Sequence, residues 1–330
     1  MTIYEVRLRA QQGLHLGVGR GTDFGRQTLT YVPSSTLKGA LGAAWLRENG
    51  RSAEDLVPLL DMVTLSDAVV VPEGSRWAAG AIPLDQGTCK YPIEDKCPPS
   101  HPWDAPKCHF CGGTPEQSKG ERKLPGGATI ENVTRVALDK RERAVDDMLY
   151  QREVLEARNL ELVALATGDI NSLAQRGTAI RIGAATSVAG RAAVTAVDPL
   201  PLPPMASTLP LHKGSTTLRV ELLTPGVYVD DFGFPSATPD SEWIRTALGL
   251  PGTTAVEVVR SFTRWGRSSG WNLAANVPKT EDASVIAHSV FHVLVEVDVH
   301  ADVPTYIPRL GLRTDEGNGW AQVERLVTNA

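Results

Sequence analysis

The four cysteines of this 330-residue chain all fall within 23 positions, at Cys89, Cys97, Cys108 and Cys111, the last two as a CxxC pair. Four thiolates complete the tetrahedral shell of a structural zinc, and a stretch this poor in apolar residues needs a cross-link to hold a shape. Two disulfides are the competing reading. They suit secreted proteins, and the opening MTIYEVRLRA has neither the charged start nor the apolar run of a secretory signal. His101 and His109 lie inside the cluster, but a set of four cysteines does not require them. With no ligand position left open, the expected zinc shapes a loop and performs no chemistry.

Two other constellations suit a polyanion. The run from Arg260 to Trp271 interleaves Arg260, Arg264 and Arg267 with Phe262, Trp265 and Trp271, and it leads to Lys279 without one carboxylate. Arginines supply phosphate charge and flat rings take bases, the combination used on single-stranded RNA; burial of the same rings in a core is the opposing reading. The second is the loop Gly311 to Gly319, with Arg313 and Gly317 inside it. It lacks the GK[ST] ending of a Walker loop and does not match the dinucleotide fingerprint. It can still present backbone N–H groups to phosphate, or it is a mobile hairpin.

Catalytic signatures are sparse. The chain has no GxSxG, no HExxH and no cysteine outside the cluster to pair with a histidine. One loop aspartate, Asp23, is placed to position a metal or an attacking 2′-hydroxyl, against the ordinary role of acidic loop residues in solubility. The segment from Arg135 to Arg158 balances six basic against six acidic groups, the composition of a solvated helix face.

The elements that must hold these groups follow from periodicity. Tyr4, Val6 and Leu8 alternate with Glu5, Arg7 and Arg9 as in a strand with one buried face. A glycine-rich loop follows, and Ser34-Ser35-Thr36 suit a helix start before Leu37, Leu41, Ala44 and Trp45. Gly39 and Gly42 within that helix point to tight packing on a sheet or a ligand. From about residue 80 to 127 the chain reads as an insertion. Ala144 to Ala157 has helical or mixed spacing, and Leu160 to Ala166 reads as a strand. The proline-rich residues 199–216 read as a linker between domains at 1–198 and 217–330. Leu218, Val220 and Leu222 then repeat the opening alternation. Ile182-Gly183 leading to Gly190 parallels Leu310-Gly311 leading to Gly319, so the chain reads as a weak repeat of a βαββαβ unit.

The net charge of −5 argues against indiscriminate coating of nucleic acid, which is the work of strongly basic proteins. Charge is local instead: residues 1–51 hold seven basic groups against three acidic. No run of 18 apolar residues occurs, so no membrane association is expected and a cytoplasmic location is.

Three stretches resemble the RAMP superfamily of CRISPR-associated proteins found in type III effector complexes. Leu14-His-Leu-Gly17 followed by Tyr31-Val-Pro-Ser-Ser-Thr-Leu-Lys-Gly-Ala-Leu41 is similar to the family's opening strand, loop and "PGSSLKG" helix start, with Ser34 in place of glycine. Gly311 to Gly319 is similar to its glycine-rich loop. Ser269-Gly-Trp-Asn272, Val277-Pro-Lys279 and Ala287-His-Ser-Val-Phe291 resemble the "GW…PK…AGSV" pattern of subunits that cap the crRNA 5-prime end, with His288 in place of glycine. The segment Arg135 to Glu156 is similar to an "R…LY..E" segment of the type III-D capping subunit. The resemblance implies an α+β fold of two tandem ferredoxin-like (RRM-like) domains, crRNA and target RNA as ligands, and contact with the large polymerase-like subunit and the backbone subunits. It also implies RNA contacts at Ser34, Ser35, Lys38, Arg135 and Arg141, beside Arg264, Trp265, Arg267, Trp271, Lys279, Gly311, Arg313, Gly317 and Gly319. Backbone subunits of the superfamily cut target RNA with a first-loop aspartate, so a slicing subunit using Asp23 is the alternative to a non-catalytic cap. A crRNA-processing endonuclease is a third reading, with His15 its nearest histidine.

Overall fold

The computed structural model describes residues 2–17, 25–50, 52–77, 81–94, 96–121, 124–138, 144–157, 160–183, 189–200, 208–268, 271–272, 277–278 and 280–326. The chain forms two compact units. The first comprises Met1–Gly80, Lys123–Leu200 and Ser269–Lys279, and the second comprises Ala81–Arg122, Pro201–Ser268 and Thr280–Ala330.

In the first unit the opening alternation becomes strand β1 (Ile3–Ala10), with Val6 and Leu8 fully buried. Strands β2 (Ala68–Val71), β3 (Glu161–Thr167) and β4 (Arg191–Pro199) join it in the order β4-β1-β3-β2, every neighbouring pair antiparallel. Helix α1 (Ser34–Asn49) buries Leu37, Leu41, Ala44 and Trp45 in the same core as Val6 and Leu8. The hydroxyls at its start do not cap it as expected. Pro33 takes the N-cap position, and the amide of Ser34 donates to buried Asp67 Oδ1 at 3.0 Å, so a carboxylate from beyond the helix satisfies the first turn. Gly42 answers to a second helix, α2 (Ala53–Asp61): a Cβ there would stand 3.1 Å from Leu56 Cδ2. A short helix, α3 (Ile170–Leu173), follows β3.

The second unit repeats the order. Strands β5 (Gly214–Leu222), β6 (Ala255–Phe262), β7 (Val290–Val297) and β8 (Ala321–Arg325) run β8-β5-β7-β6, again antiparallel, with α4 (Ser241–Ala247) between β5 and β6 in the chain. Leu218, Val220 and Leu222 of β5 are buried with Phe291, Val293 and Val295 of β7. The repeat extends to the loops. Gly190 has φ +80° and its Cβ would fall 2.2 Å from the Ile182 carbonyl; Gly319 has φ +77° and its Cβ would fall 2.1 Å from that of Leu310. The amides of Ile182 and Leu310 donate to the carbonyls of Gly190 and Gly319 at 2.8 and 3.0 Å. Only glycine fits such a pinch.

Three sequence expectations are corrected. Ala144–Glu156 is a strand paired antiparallel with Thr129–Leu138, so the described part of the charge-balanced segment, residues 135–138 and 144–156, is extended and not a helix face. Its apolar spacing matched neither period, and the pairing partner decided the outcome. Part of the expected linker is also structured, since Thr208–Leu211 pairs with Ala301–Pro304. Finally, the cysteine segment interrupts the first unit in sequence but groups with the second: Leu84 is buried with Phe262 and Val290, and Asp85 binds Arg219. Among the described residues no helix is long and apolar enough to cross a membrane.

Candidate nucleic-acid interface and metal centre

The cysteines sit around a small three-stranded sheet of Gln86–Thr88, His101–Pro102 and Glu116–Gln117. Their four Sγ atoms all lie within 4.8 Å of one another, with Cys97 to Cys108 at 3.8 Å and Cys89 to Cys111 at 3.5 Å. Zinc–sulfur bonds of about 2.3 Å place sulfurs about 3.8 Å apart at the corners of a tetrahedron. The spacing is far beyond a disulfide bond, and all four thiols are free. The donor set fits a metal ion. Local backbone assists: Gly112 adopts φ +70° just after the CxxC pair, and its amide donates to the Cys108 carbonyl at 2.9 Å. The backbone amide of Cys111, aided by that of Phe110, pulls the Cys108 thiol down to about 6, whereas burial and then the neighbouring thiols push Cys89 up. Cys89 Sγ also lies 3.1 Å from His101 Nε2, which places that histidine behind the cluster as a hydrogen-bond partner of a ligand.

The basic and aromatic residues of 260–268 separate by role. Phe262 is buried, while Trp265 is half exposed on the strand Trp265–Ser268, which pairs with Asp282–Val285. Arg264 and Arg267 are exposed, and Arg267 is bound to Glu281 at 2.6 Å. Trp271 lies on the strand Trp271–Asn272, paired with Val277–Pro278; Lys279 falls outside the described residues.

The glycine loop is tightly built. Arg313, with φ +54°, donates to the carbonyls of Ser268 and Thr280 and to the carboxylates of Asp282 and Glu316 at 2.8 and 2.6 Å. These carboxylates, working against burial, raise its pKa. Its guanidinium is thus committed to pinning the loop on the neighbouring hairpin. Gly317 and Gly319, expected to offer N–H groups to phosphate, are buried, and their amides already donate to the carbonyls of Thr314 and Pro225. Gly311 has φ +98° where a Cβ would strike the Val227 carbonyl and the Tyr228 ring. The glycines serve close approach of the chain to itself.

In the first unit, Ser34 is buried, and Ser35 and Lys38 are half-buried, one helical turn apart near the start of α1. Arg135 pairs with Tyr150 in the hairpin register. Asp23 and Arg141 lie outside the described residues.

Sequence reasoning missed a charged row across the second sheet. Register sets Glu324, Arg219, His292 and Arg260 side by side on β8, β5, β7 and β6, on the face away from Leu218 and Val220. Arg219 binds Asp85 Oδ1 at 2.7 Å, Glu221 at 3.0 Å and Glu324 at 2.6 Å. Burial opposes its charge, but the carboxylates outweigh it and hold the pKa above its ordinary value. The available signal was Arg219 and Glu221 alternating with three apolar residues on one strand. Asp85, 134 residues away, carried none.

No family model matches the sequence, and no curated protein matches it either. Solved structures do. A chain of the type III-B Cmr-β complex bound to cognate target RNA and AMPPnP is 14% identical, with a TM-score of 0.51, over 87% of this chain and 86% of that one. A chain of the same complex bound to cognate target RNA is 12% identical, with a TM-score of 0.50 over the same shares. Across nearly nine-tenths of its length, this chain therefore has the fold of a chain found in a type III-B Cmr-β assembly.

Proposed function

We propose that this chain is an RNA-binding RAMP-superfamily subunit of a type III CRISPR ribonucleoprotein. It caps the 5-prime handle of the crRNA and joins the large polymerase-like subunit to the backbone. The observation that carries this reading is the shared fold over 87% of the chain with a Cmr-β chain from a target-RNA complex. Two units with the strand order β4-β1-β3-β2 and its repeat are the ferredoxin-like halves of such a subunit. The chain's exposed cations at Arg260, Arg264 and Arg267 on a body of net charge −5 suit one localised RNA path. Cys89, Cys97, Cys108 and Cys111 hold a structural zinc that shapes their segment and leaves no position for substrate.

The experiment is affinity purification of the tagged full chain with its bound RNA and protein partners. Repeat-derived 5-prime sequence in the RNA, together with a polymerase-like subunit, is the expected result. Recovery without RNA would sink the proposal. In the reconstituted complex, Asp23→Ala leaves target-RNA cleavage intact if the chain is a cap; loss of cleavage with assembly preserved would make it a slicer.

A further inference from the structure

Arg219, Arg267 and Arg313 of the second unit each hold carboxylates, but Arg260 has no carboxylate partner among the described residues. Its guanidinium lies over Trp103, 4.2 Å from the ring centroid, and within 5.8 Å of the Phe262 centroid. Arg260 is exposed, and Trp103 keeps 42% of its surface open to solvent. An isolated cation on an exposed ring is a weak contact, so the structural devices that hold this one carry the case.

Three such devices converge. A register shift between Val258 and Arg260 re-aims β6: Val258 opposes Val293, and Arg260 opposes His292 on the other face. The Trp103 amide donates to the Asp85 carbonyl at 3.0 Å, beside the carboxylate that grips Arg219. The Trp103 ring also stands 5.4 Å from the buried Phe262 ring. Trp103 lies between Cys97 and Cys108, in a loop whose two ends meet in the cysteine cluster. A flat cation is thereby fixed on a flat ring at the surface, with Arg264, exposed and without a carboxylate partner among the described residues, four residues on.

We propose that the Trp103–Arg260 stack is a base-stacking site for single-stranded RNA and that Arg264 is its phosphate contact. This rests on the RNA-binding reading above and adds a residue from the cysteine segment that no motif singled out. Aromatic rings and guanidinium planes take the faces of unpaired bases, and every base has such a face, so the site tolerates sequence and favours purines, which stack better.

The test is fluorescence anisotropy with the full chain and labelled 12-nucleotide oligoadenylate and oligouridylate RNA. Trp103→Ala and Arg260→Ala are each expected to weaken oligoadenylate binding by about 5- to 100-fold, and the oligouridylate less. The double variant should lose little beyond either single one, because the stack acts as a unit. Arg264→Ala lowers the salt slope by about 1 and Trp103→Ala leaves it unchanged. Trp103→Phe restores most of the affinity lost in Trp103→Ala, and Arg260→Ala decides the matter if Trp103→Ala fails to fold. Wild-type affinity for Arg260→Ala and Trp103→Ala, with no purine preference in the parent chain, would overturn the stacking site while leaving RNA binding in place. A parent chain that binds neither oligonucleotide would overturn both.

Discussion

In the first unit the sheet face turned away from the helices is closed by the chain that leaves β2. In the second it is covered in part by a segment, Ala81–Arg122, that comes far earlier in the chain than β5. Both solutions bury an arginine of the first strand among carboxylates. Arg7 binds Glu5 and Glu161 at 2.8 and 2.7 Å, and the amides of Trp77 and Gly74 donate to those same carboxylates from the covering turn. Arg219 binds Glu221 and Glu324 on its own sheet, but its paired two-point contact is with imported Asp85. The first unit thus covers its sheet with local chain, whereas the second takes its cover from a segment that carries the four clustered cysteines. Where these segments cover the sheets, bases cannot stack on the face as they do in an RRM-like domain, which favours RNA contact at loops and at exposed edges such as β6.

Metal removal is the largest test of that difference. Structural zinc contributes apparent binding energies of about 10 kcal/mol or more to the elements it folds. Chelation, or Cys108→Ser with Cys111→Ser, is expected to release the residues from Leu84 to Gln117 and to leave the first unit unchanged. Hydrogen exchange measured by peptide mass spectrometry reads this directly. Equal uptake in the turn Gly74–Trp77 would show that the first unit is not independently closed.

A smaller contrast comes from the arginines. Removing one partner of a buried ion pair leaves uncompensated charge and costs about 3–5 kcal/mol. Arg219→Met strands three carboxylates and should fall in that range, with the cysteine segment loosened. Arg7→Met strands two that keep backbone donors, and a loss of about 1–3 kcal/mol is expected. Urea unfolding of the two variants ranks them, and a larger loss for Arg7→Met would reverse the comparison.

What was legible in the sequence divides along the same line. The strand alternations of β1 and β5, the cysteine cluster and the paired glycine loops are local patterns, and the structure contains all of them. The glycines were legible in place but not in purpose. Gly311 and Gly319 are required by carbonyls of the chain itself, and Arg313 is spent on Asp282 and Glu316. Spacing shows that a turn needs glycine but not which atom crowds it. The grouping of the cysteine segment with the second unit and the Asp85–Arg219 pair join residues distant in sequence, where no periodicity reaches, and Ala144–Glu156 is decided by its partner strand Thr129–Leu138 and not by its own spacing.

The smallest expected effect probes the edge of the charged row. His292 faces the Asp85 carboxylate at 3.8 Å, the guanidinium groups of Arg219 and Arg260, and the Phe262 ring. Burial depresses its pKa, Arg219 and Arg260 add to the depression, and Asp85 opposes them without prevailing. Its Nε2 atom is buried without a hydrogen-bond partner, which fits a ring held neutral. A folded-state pKa below the unfolded value of about 6.5 means the unfolded chain binds the proton more readily. The stability contributed by neutral His292 is therefore complete above that unfolded value and is lost as pH falls through the depressed folded one. His292→Gln removes the titration, so the fall in melting temperature between pH 7 and pH 5 should be shallower in the variant than in the parent chain. The first unit has no histidine in this position of its row, since Val163 stands opposite Arg7 where His292 stands opposite Arg219. Acid should loosen the second unit first, and hydrogen exchange at pH 5 that rises equally in both units would assign the effect to groups other than His292.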